Sequence, residues 1–335
     1  MQSCTIKAPP RGLQNLVAPT IAMFLGYFRQ PFSSSLPFKR FNVYNKERTF
    51  VLDYHMISIM PIQTGTAQLK EAQRCGMVGR SAFQRKIDIF RDSRWAGPLP
   101  IFCFLIEHPE GRFLVDTGDT ARNSVPGYLP KWHPFFMKEV IIKVAPLEEV
   151  GPLLKAMNLN PAQDIKAVIL THFHHDHTGG LDHFPHNRII AGRDAYEASK
   201  GLKGMVVGGA LPQHWPIWLK PELVELNGPA LGPFPSSYPI TQDGRIVLVP
   251  TPGHAIGHLS VVVRAESVTY FLAGDATYAE RFLKSEQVDR VTYDPAISLL
   301  TLQRIKAFAA QEPTILLPAH DPDVPARLAG NKLLD

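Results

Sequence analysis

A cluster of histidines with one aspartate directly follows a short apolar run near the middle of the chain. The apolar run is Ile165–Leu170, and the next residues contain the pattern H-x-H-x-D-H. A strand that ends in a short loop can direct alternate side chains into one cleft, and imidazole and carboxylate groups suit a borderline cation such as Zn²⁺. The pattern therefore predicts a metal-binding loop after a buried strand and favours a metal-dependent hydrolase over a solvated histidine-rich turn. The four candidate ligands are His172, His174, Asp176 and His177.

Four further segments repeat this design, in which an apolar strand-like run stops at a polar residue. In chain order the polar residues are Asp116 in LVDTGD, His254 in TPGHAIGH, Asp275 in AGDATY and His320 in PAHDPD. Each segment is a candidate loop at the same edge of a sheet as the histidine cluster. The sequence thus offers several loops that could build one site together.

These five motifs, in this order, resemble those of the metallo-β-lactamase superfamily of hydrolases over residues 61–321. The resemblance implies an α+β fold, the four-layer αββα sandwich, with a dinuclear metal site at one edge of its two sheets. The residue pattern agrees with this architecture. Runs such as 245–250 and 259–263 are rich in β-branched residues, and they alternate with helical stretches around residues 135–157 and 294–311.

The second helical stretch has a clear beginning. Asp294 can cap the helix, and Pro295 fits its first turn. Apolar residues then recur at helical spacing, so we expect one buried face and assign its side chains to the core. They are Leu299, Leu302, Ile305 and Phe308.

The resemblance also implies how the ligands divide between two divalent metal ions, for which Zn²⁺ is the expected species. A single zinc needs only about three protein ligands plus water, so seven groups are too many for one ion. Two ions roughly 3.5–4 Å apart would share a hydroxide and a carboxylate, and that hydroxide could attack an electrophilic carbon or phosphorus. One ion would take His172, His174 and His254, the other would take Asp176, His177 and His320, and Asp275 would bridge both.

Three polar residues beside the ligands are expected to have supporting roles. By resemblance, Asp116 holds a neighbouring ligand or its loop in place rather than binding metal. His175 lies between two ligands and is expected to point away from the metals. His258 opens the next strand and is expected to be hydrogen-bonded in the core.

Tyr278 gives the most specific indication of substrate. It follows the bridging Asp275 by three residues, and a phenol there could donate to a substrate carbonyl oxygen as negative charge develops. The alternative is a tyrosine that packs on the following helix. The pattern D-A-x-Y resembles the N-acyl homoserine lactonases, the quorum-quenching branch of the superfamily, and the run 98–107 is similar to that branch's opening strand. The resemblance implies hydrolysis of the lactone ring, with Asp176 carrying a proton from the attacking hydroxide to the leaving oxygen.

An acyl chain would need an apolar groove, and two aromatic segments could supply its walls. One is 125–136, and the other is the long Gly- and Pro-rich stretch 201–238. Aromatic residues on loops beside a site often line ligand pockets, but they also anchor long loops. The second stretch contains Trp215, Trp218, Phe234 and Tyr238.

Other hydrolases of the superfamily remain alternatives. Aryl-ester or phosphotriester hydrolases similar to methyl parathion hydrolase have the same ligands but lack the D-A-x-Y tyrosine. A glyoxalase II-like thioesterase would add a C-terminal domain, whereas only 15 residues follow His320. Zinc β-lactamases generally lack the bridging aspartate. A non-catalytic binding protein with this fold would be expected to have lost ligands, and all seven are present here.

The charge distribution argues against a nucleic-acid partner. Residues 1–55 contain seven basic and two acidic residues, which account for the whole net charge of +5. The remaining chain is therefore balanced, unlike a surface that tracks phosphates. The expected partner is a small lactone or ester.

The sequence predicts a basic extension over 1–55 and a catalytic domain over 56–335. The extension could be a transit peptide, or an arm that is flexible or touches membranes. Alternatively, translation could begin at Met56 or Met60, which is the explanation we favour. Its apolar run is too short for stable membrane insertion. The three cysteines form no C-x-x-C pair, which indicates a cytoplasmic protein with reduced thiols. Both a monomer and a homodimer fit the resemblance.

Overall fold

The computed structural model describes residues 56–334 except Met77 and Pro134, so the predicted extension over 1–55 lies outside the described residues. Within the described ranges, no helix combines the length and apolar character needed to cross a membrane. The strands are β1 (Ser58–Leu69), β2 (Leu99–His108), β3 (Gly111–Val115), β4 (Val140–Lys143), β5 (Ile165–Leu170), β6 (Arg188–Gly192), β7 (Glu222–Val224), β8 (Tyr238–Pro239), β9 (Ile246–Pro250), β10 (Leu259–Arg264), β11 (Thr269–Gly274) and β12 (Thr314–Pro318).

Helices connect and cover these strands. The α-helices are α1 (Glu71–Arg74), α2 (Ala82–Arg91), α3 (Val150–Ala156), α4 (Pro161–Asp164), α5 (His175–Thr178), α6 (Arg193–Ser199), α7 (Gly201–Gly208), α8 (Glu280–Lys284), α9 (Pro295–Ala309) and α10 (Val324–Ala329). Short 3₁₀ turns span Ala121–Ser124, Pro146–Glu148, Leu181–His183 and Pro212–His214, and a π-helical turn spans Phe135–Glu139.

The strands form two sheets. Sheet 1 has the order β4-β1-β2-β3-β5-β6-β7, and sheet 2 has the order β12-β11-β10-β9-β8. Strands β3, β5 and β6 run parallel in sheet 1, as β11 and β12 do in sheet 2. Parallel neighbours bring their carboxyl ends to one edge. Two hydrogen bonds join the sheets there, from Leu259 N to Thr171 O (3.0 Å) and from Phe102 N to Ala319 O (2.9 Å).

Alternation along the strands divides the core into layers. On β2, Phe102, Phe104 and Ile106 belong to a buried cluster shared by both sheets, whereas Cys103 and Leu105 belong to a cluster on the outer face of sheet 1. Successive strand residues point to opposite faces, so a strand that is buried throughout must be covered on both sides. Helices provide that cover, with α3 on sheet 1 and α9 on sheet 2. The αββα sandwich predicted from the sequence is confirmed.

The predicted helix over 294–311 is also confirmed. It spans Pro295–Ala309, and the Asp294 side chain accepts hydrogen bonds from the amides of Ala296 (2.9 Å) and Ile297 (3.1 Å). Its apolar face packs on the outer face of sheet 2, with Leu302, Ile305 and Phe308 buried and Leu299 partly buried.

Two local predictions were wrong. The stretch 135–157 is not one helix, because β4 interrupts it and pairs with β1 at the edge of sheet 1. The run 98–107 does form a strand, but β1 precedes it, so it is not the opening strand.

Candidate metal centre

The structure brings all seven predicted ligands together at the edge where the sheets meet. They follow β5, β9, β11 and β12, so four separate strands position them. They form two groups, and within each group the ligand atoms lie within 4.8 Å of one another. The first group is His172, His174, His254 and Asp275, and the second is Asp176, His177 and His320.

Asp275 touches both groups with its two carboxylate oxygens. Oδ2 lies 3.4 Å from Nε2 of His254 in the first group. Oδ1 lies 3.3 Å from Nε2 of His177 and 3.2 Å from Nε2 of His320 in the second group. This position suits a carboxylate that would be shared between two cations.

The chemistry of these side chains fits a pair of metal ions. Nε2 of His172, Nε2 of His177 and Oδ1 of Asp275 are buried and form no hydrogen bond within the described part of the chain. Each buried polar atom without a partner costs about 1–3 kcal/mol. Divalent ions would satisfy these atoms, and a set of imidazoles and carboxylates is the donor set that Zn²⁺ commonly takes.

The electrostatics favour the metal-binding protonation states on several ligands. Burial and the imidazoles of His177 and His174 hold the pKa of His172 well below its usual range, so this ring is neutral. Burial opposes ionisation of Asp275, but the imidazoles of His320 and His177 outweigh it and hold the pKa of Asp275 well below its usual range. The pKa of Asp176 falls to about 2, because neighbouring imidazoles, first that of His177, outweigh burial.

The carboxylates also create a field that attracts positive charge. Burial opposes protonation of His177, but Asp275 and Asp116 outweigh it and raise the pKa of His177 well above its usual range. A bound cation would take the place of that proton, because a ligating nitrogen must be free of it.

Asp116 supports the second group in the way that the resemblance implies. Its Oδ2 lies 2.8 Å from Nδ1 of His177, and its carboxylate also accepts hydrogen bonds from the amide and hydroxyl of Thr171, both at 2.8 Å. The residue adopts a left-handed backbone conformation, with a φ of 61°. Such conformations persist where the surroundings impose them, often at functional sites.

A second hydrogen-bond chain supports Asp275. The amide of Asp275 donates to Nε2 of His258 (3.1 Å), so Nδ1 of this ring bears the proton and donates to Thr251 (2.9 Å). Thr251 donates to Ser260 (2.8 Å). Burial, followed by the nearby His254, lowers the pKa of His258 to about 3, which keeps it neutral. The prediction of a hydrogen-bonded core histidine is confirmed.

Two contacts to the ligands could not be predicted from any motif. Nδ1 of His254 lies 3.2 Å from Oδ2 of Asp289, which is buried in the loop after α8. Nδ1 of His320 donates to the carbonyl oxygen of Pro100 (2.8 Å). Both contacts fix the ring so that Nε2 faces the centre. No local signal marks these residues, because their partners lie 35 and 220 positions away.

We expect Asp289→Ala to weaken metal binding by about 10- to 100-fold, because the His254 ring would lose the acceptor that orients it. Asp289→Asn keeps an acceptor oxygen at the same place and should have a smaller effect. Competition with a chromogenic chelator would measure the metal dissociation constants of both variants. An unchanged affinity in the alanine variant would show that His254 does not depend on this carboxylate.

Tyr278 lies beside both ligand groups. Its buried ring stands edge-on to the rings of His254 and His320, with centroid separations of 5.9 and 5.5 Å. It also packs in a small cluster with Phe282 of α8. Tyr278 therefore lies beside the candidate ligands and also packs on the following helix, the two positions considered from the sequence. Burial, followed by the carboxylates of Asp289, Asp275 and Asp176, raises the pKa of Tyr278 well above its usual range. The phenol therefore keeps its proton at neutral pH and can donate a hydrogen bond.

His175 turns away from the ligands, as predicted. Its Nδ1 lies 3.0 Å from Oδ2 of Asp119, and its ring stands edge-on to that of Phe136. A small cavity beside it is lined by Tyr128 and Trp215 among others. Part of each predicted groove wall therefore lies near the histidine-rich loop.

Two residues of the second predicted wall have another role. Phe234 is fully buried and packs against Phe271 and Phe308 in the outer cluster of sheet 2. Tyr238 lies in β8 and packs on the cluster between the sheets. Of the two roles that the sequence left open, these residues anchor the loop, because both complete the hydrophobic core. Trp215 and Trp218 pack on the outer cluster of sheet 1.

Among the described residues, a third group of possible ligands lies away from this centre, at His108, Glu110 and Asp243. The amide of Glu110 donates to Nδ1 of His108 (3.1 Å), so the ring carries a hydrogen on Nε2. That nitrogen faces Oδ2 of Asp243 at 3.1 Å. The arrangement joins the β2–β3 hairpin of sheet 1 to the loop before β9 of sheet 2, and the ring has no free lone pair for a metal.

Comparisons with known proteins agree with this geometry. The chain is 28% identical over 226 residues to the N-acyl homoserine lactonase AiiA of Bacillus thuringiensis subsp. kurstaki. This match covers 67% of this chain and 82% of that protein. It is also 28% identical over 229 residues to the N-acyl homoserine lactonase AttM of Agrobacterium fabrum, which covers 67% and 83%.

Solved structures show the same fold. An N-acyl homoserine lactone hydrolase with N-hexanoyl-L-homoserine at its catalytic metal centre matches with a TM-score of 0.65 and 23% identity, over 80% of this chain and 94% of that one. The dizinc quorum-quenching lactonase AidC matches with a TM-score of 0.53 and 18% identity, over 79% and 88%. The family model described as the metallo-beta-lactamase superfamily matches residues 96–320. Because this match spans most of the chain and includes every predicted ligand, the protein belongs to the metallo-beta-lactamase superfamily.

Proposed function

We propose that this protein hydrolyses the lactone ring of N-acyl homoserine lactones. The observation that carries the proposal is the position of Tyr278, whose buried ring lies edge-on to one histidine of each ligand group. A protonated phenol beside two groups of possible metal ligands supports the proposal. Two relatives that are each 28% identical to this chain are named as N-acyl homoserine lactonases, which supports the same substrate class here.

The ligand groups would hold two divalent ions, most simply Zn²⁺, with Asp275 shared between them. Bound ions would supply a deprotonated water at neutral pH and would polarise the substrate carbonyl. The first ion would be held by His172, His174 and His254, and the second by Asp176, His177 and His320.

The protein's own groups would complete the reaction. Tyr278 would donate a hydrogen bond to the carbonyl oxygen of the lactone as negative charge develops there. Asp176 would carry the proton released on attack to the ring oxygen that leaves. Its pKa of about 2 keeps it ionised at neutral pH. Its side chain is 15% exposed and Asp275 only 3%, so Asp176 is the carboxylate that substrate can approach more easily.

A side-by-side assay of metal-loaded protein tests the proposal. The substrates are N-acyl homoserine lactones of short and long chain, a paraoxon-type ester and a β-lactam. We expect lactones to be preferred, and Tyr278→Phe to lower kcat by a factor on the order of 10² because one oxyanion donor is lost. Tyr270→Phe is the matched control, since Tyr270 lies in β11 and packs on the cluster between the sheets.

The outcome also separates the alternative hydrolases. Preferred turnover of the phosphotriester or an aryl ester, with no effect of Tyr278→Phe, would replace the lactonase with an enzyme similar to methyl parathion hydrolase. A thioester preference would indicate a glyoxalase II-like enzyme. Equal losses in the Tyr278 and Tyr270 variants would remove the reason for assigning Tyr278 to the site.

A further inference from the structure

A buried ionic cluster lies behind the metal centre, and the proposed reaction does not use it. It consists of Arg327 on α10, Asp321 after β12 and Glu280 at the start of α8. All three residues are at least nine-tenths buried, with exposures of 4%, 1% and 7%. Such a cluster is expensive to bury, so its contacts indicate what it holds in place.

Each nitrogen of the Arg327 guanidinium faces an oxygen atom. Nη2 donates to Oδ2 of Asp321 (2.9 Å), and Nη1 donates to the carbonyl oxygen of Leu316 in β12 (2.9 Å). Nε lies 2.8 Å from Oε2 of Glu280, an ion pair without the geometry of a hydrogen bond. The same Oδ2 of Asp321 accepts the amide of Glu280 (3.1 Å). The guanidinium of Arg327 therefore contacts the carboxylates of Asp321 and Glu280, which lie in different segments, and a backbone carbonyl of β12.

Each of those loops carries a residue of the candidate site. Asp321 directly follows the ligand His320, and Glu280 follows Tyr278 by two residues. The contact between Glu280 and Asp321 thus connects the loop of the phenol to the loop of the ligand. At the site itself, the rings of Tyr278 and His320 are 5.5 Å apart.

Tyr278 depends on such support because its hydroxyl donates no hydrogen bond to any described residue. Its ring is placed by packing against Leu69, Leu99 and Phe282, and by the backbone of its own loop. A shift of that loop would move the phenol without removing any ligand. We propose that Arg327 is a positioning residue that sets the place of Tyr278 relative to His320, an inference that rests on the proposed function.

A double-mutant cycle tests this proposal. Arg327→Lys keeps the charge but cannot bind both carboxylates in one plane. We expect it to lower kcat for the lactone about tenfold to 100-fold at unchanged KM and metal content, because a small displacement of a catalytic group has this effect. In the Tyr278→Phe background the same change should alter kcat less than about twofold, because there is no phenol left to misplace.

Arg264→Lys is the matched control. Arg264 pairs with Glu312 (3.1 Å) on a part of sheet 2 that carries no ligand, so its replacement should leave kcat unchanged. If Arg327→Lys lowers kcat equally in both backgrounds, or releases metal, the proposal is overturned. If Arg327→Lys does not fold, Glu280→Gln takes its place in the cycle, because it removes one charge of the same cluster and keeps the side-chain volume.

If the wild-type protein does not hydrolyse lactones, a spectroscopic measurement still tests whether Arg327 positions Tyr278. In that case the proposed function fails, and the position of Tyr278 is examined in metal-loaded protein labelled with 3-fluorotyrosine. The ¹⁹F resonance of Tyr278 is assigned by its loss in Tyr278→Phe. We expect this resonance to shift in Arg327→Lys and not in Arg264→Lys. An unchanged resonance in Arg327→Lys overturns the proposal.

Discussion

Replacing Asp275 with alanine is expected to abolish lactone hydrolysis. Its carboxylate is the group that faces both ligand sets, with Oδ2 3.4 Å from His254 and Oδ1 3.2 Å from His320. Removal would take a shared ligand from both ions and leave the facing imidazoles without their counter-charge. We expect kcat/KM to fall by a factor on the order of 10⁴, as when one member of a catalytic unit is lost. Steady-state kinetics and elemental analysis of metal content would measure both effects.

Asp275→Asn separates the charge of this residue from its shape. The amide keeps one oxygen ligand but loses the negative charge, so we expect reduced metal content and activity between those of the wild type and the alanine variant. Asp243→Ala, at the contact with His108 away from the centre, controls for the loss of a carboxylate that belongs to neither ligand group. An alanine variant at Asp275 that retained two ions and full activity would be incompatible with a bridging role.

Replacing Asp116 with alanine is expected to cause the largest loss of stability. The carboxylate accepts three contacts of 2.8 Å, from the ring of His177 and from the amide and hydroxyl of Thr171. All three donors would remain buried but without an acceptor, and each such donor costs about 1–3 kcal/mol of stability. We therefore expect the free energy of unfolding to fall by at least about 3 kcal/mol, which chemical denaturation of the metal-free protein would measure. Metal affinity should also fall, because His177 would lose its orientation.

Asp116→Asn is the informative companion variant. Asparagine tolerates the left-handed backbone of this position better than alanine, and its side-chain oxygen can still accept one or two of the hydrogen bonds. It should recover part of the lost stability. Equal stabilities of the wild-type and alanine proteins would mean that water replaces the carboxylate, and the network would then not be essential for the fold.

The close approach at Gly274 shows how strongly the fold constrains residues next to the ligands. Gly274 has a φ of 53° and directly precedes Asp275. A Cβ atom there would lie 2.9 Å from Nε2 of His258 and 3.0 Å from the hydroxyl of Thr171. The AGD motif thus combines a ligand with the one residue type that fits before it.

Local patterns predicted most of the site because each ligand sits in a short motif at the end of an apolar strand. The chemistry of His172, Asp176 and Asp275 can be inferred from such motifs. The order of the motifs then indicated the superfamily, and with it the αββα fold. The helix over Pro295–Ala309 was equally accessible, since its cap and its buried face are both local in sequence.

Other local patterns were misleading because tertiary contacts outweighed them. The apolar stretch 135–157 could form a helix, but residues 140–143 instead pair with β1 and become the edge strand of sheet 1. Phe234 lies in a long loop that suggested a ligand pocket, yet its ring completes the packing of α9 on sheet 2. A propensity is small compared with the burial of a large aromatic side chain.

The sequence by itself determined which side chains can bind metal and which strands carry them, because both are encoded within a few residues. Only the tertiary structure decided how those side chains are held. Asp289 contacts His254, the carbonyl of Pro100 contacts His320, and Arg327 pairs with Glu280 near Tyr278, and in each pair the two partners come from distant parts of the chain. Such contacts have no local signature, since they exist only after the two sheets have packed and their loops have met at one edge.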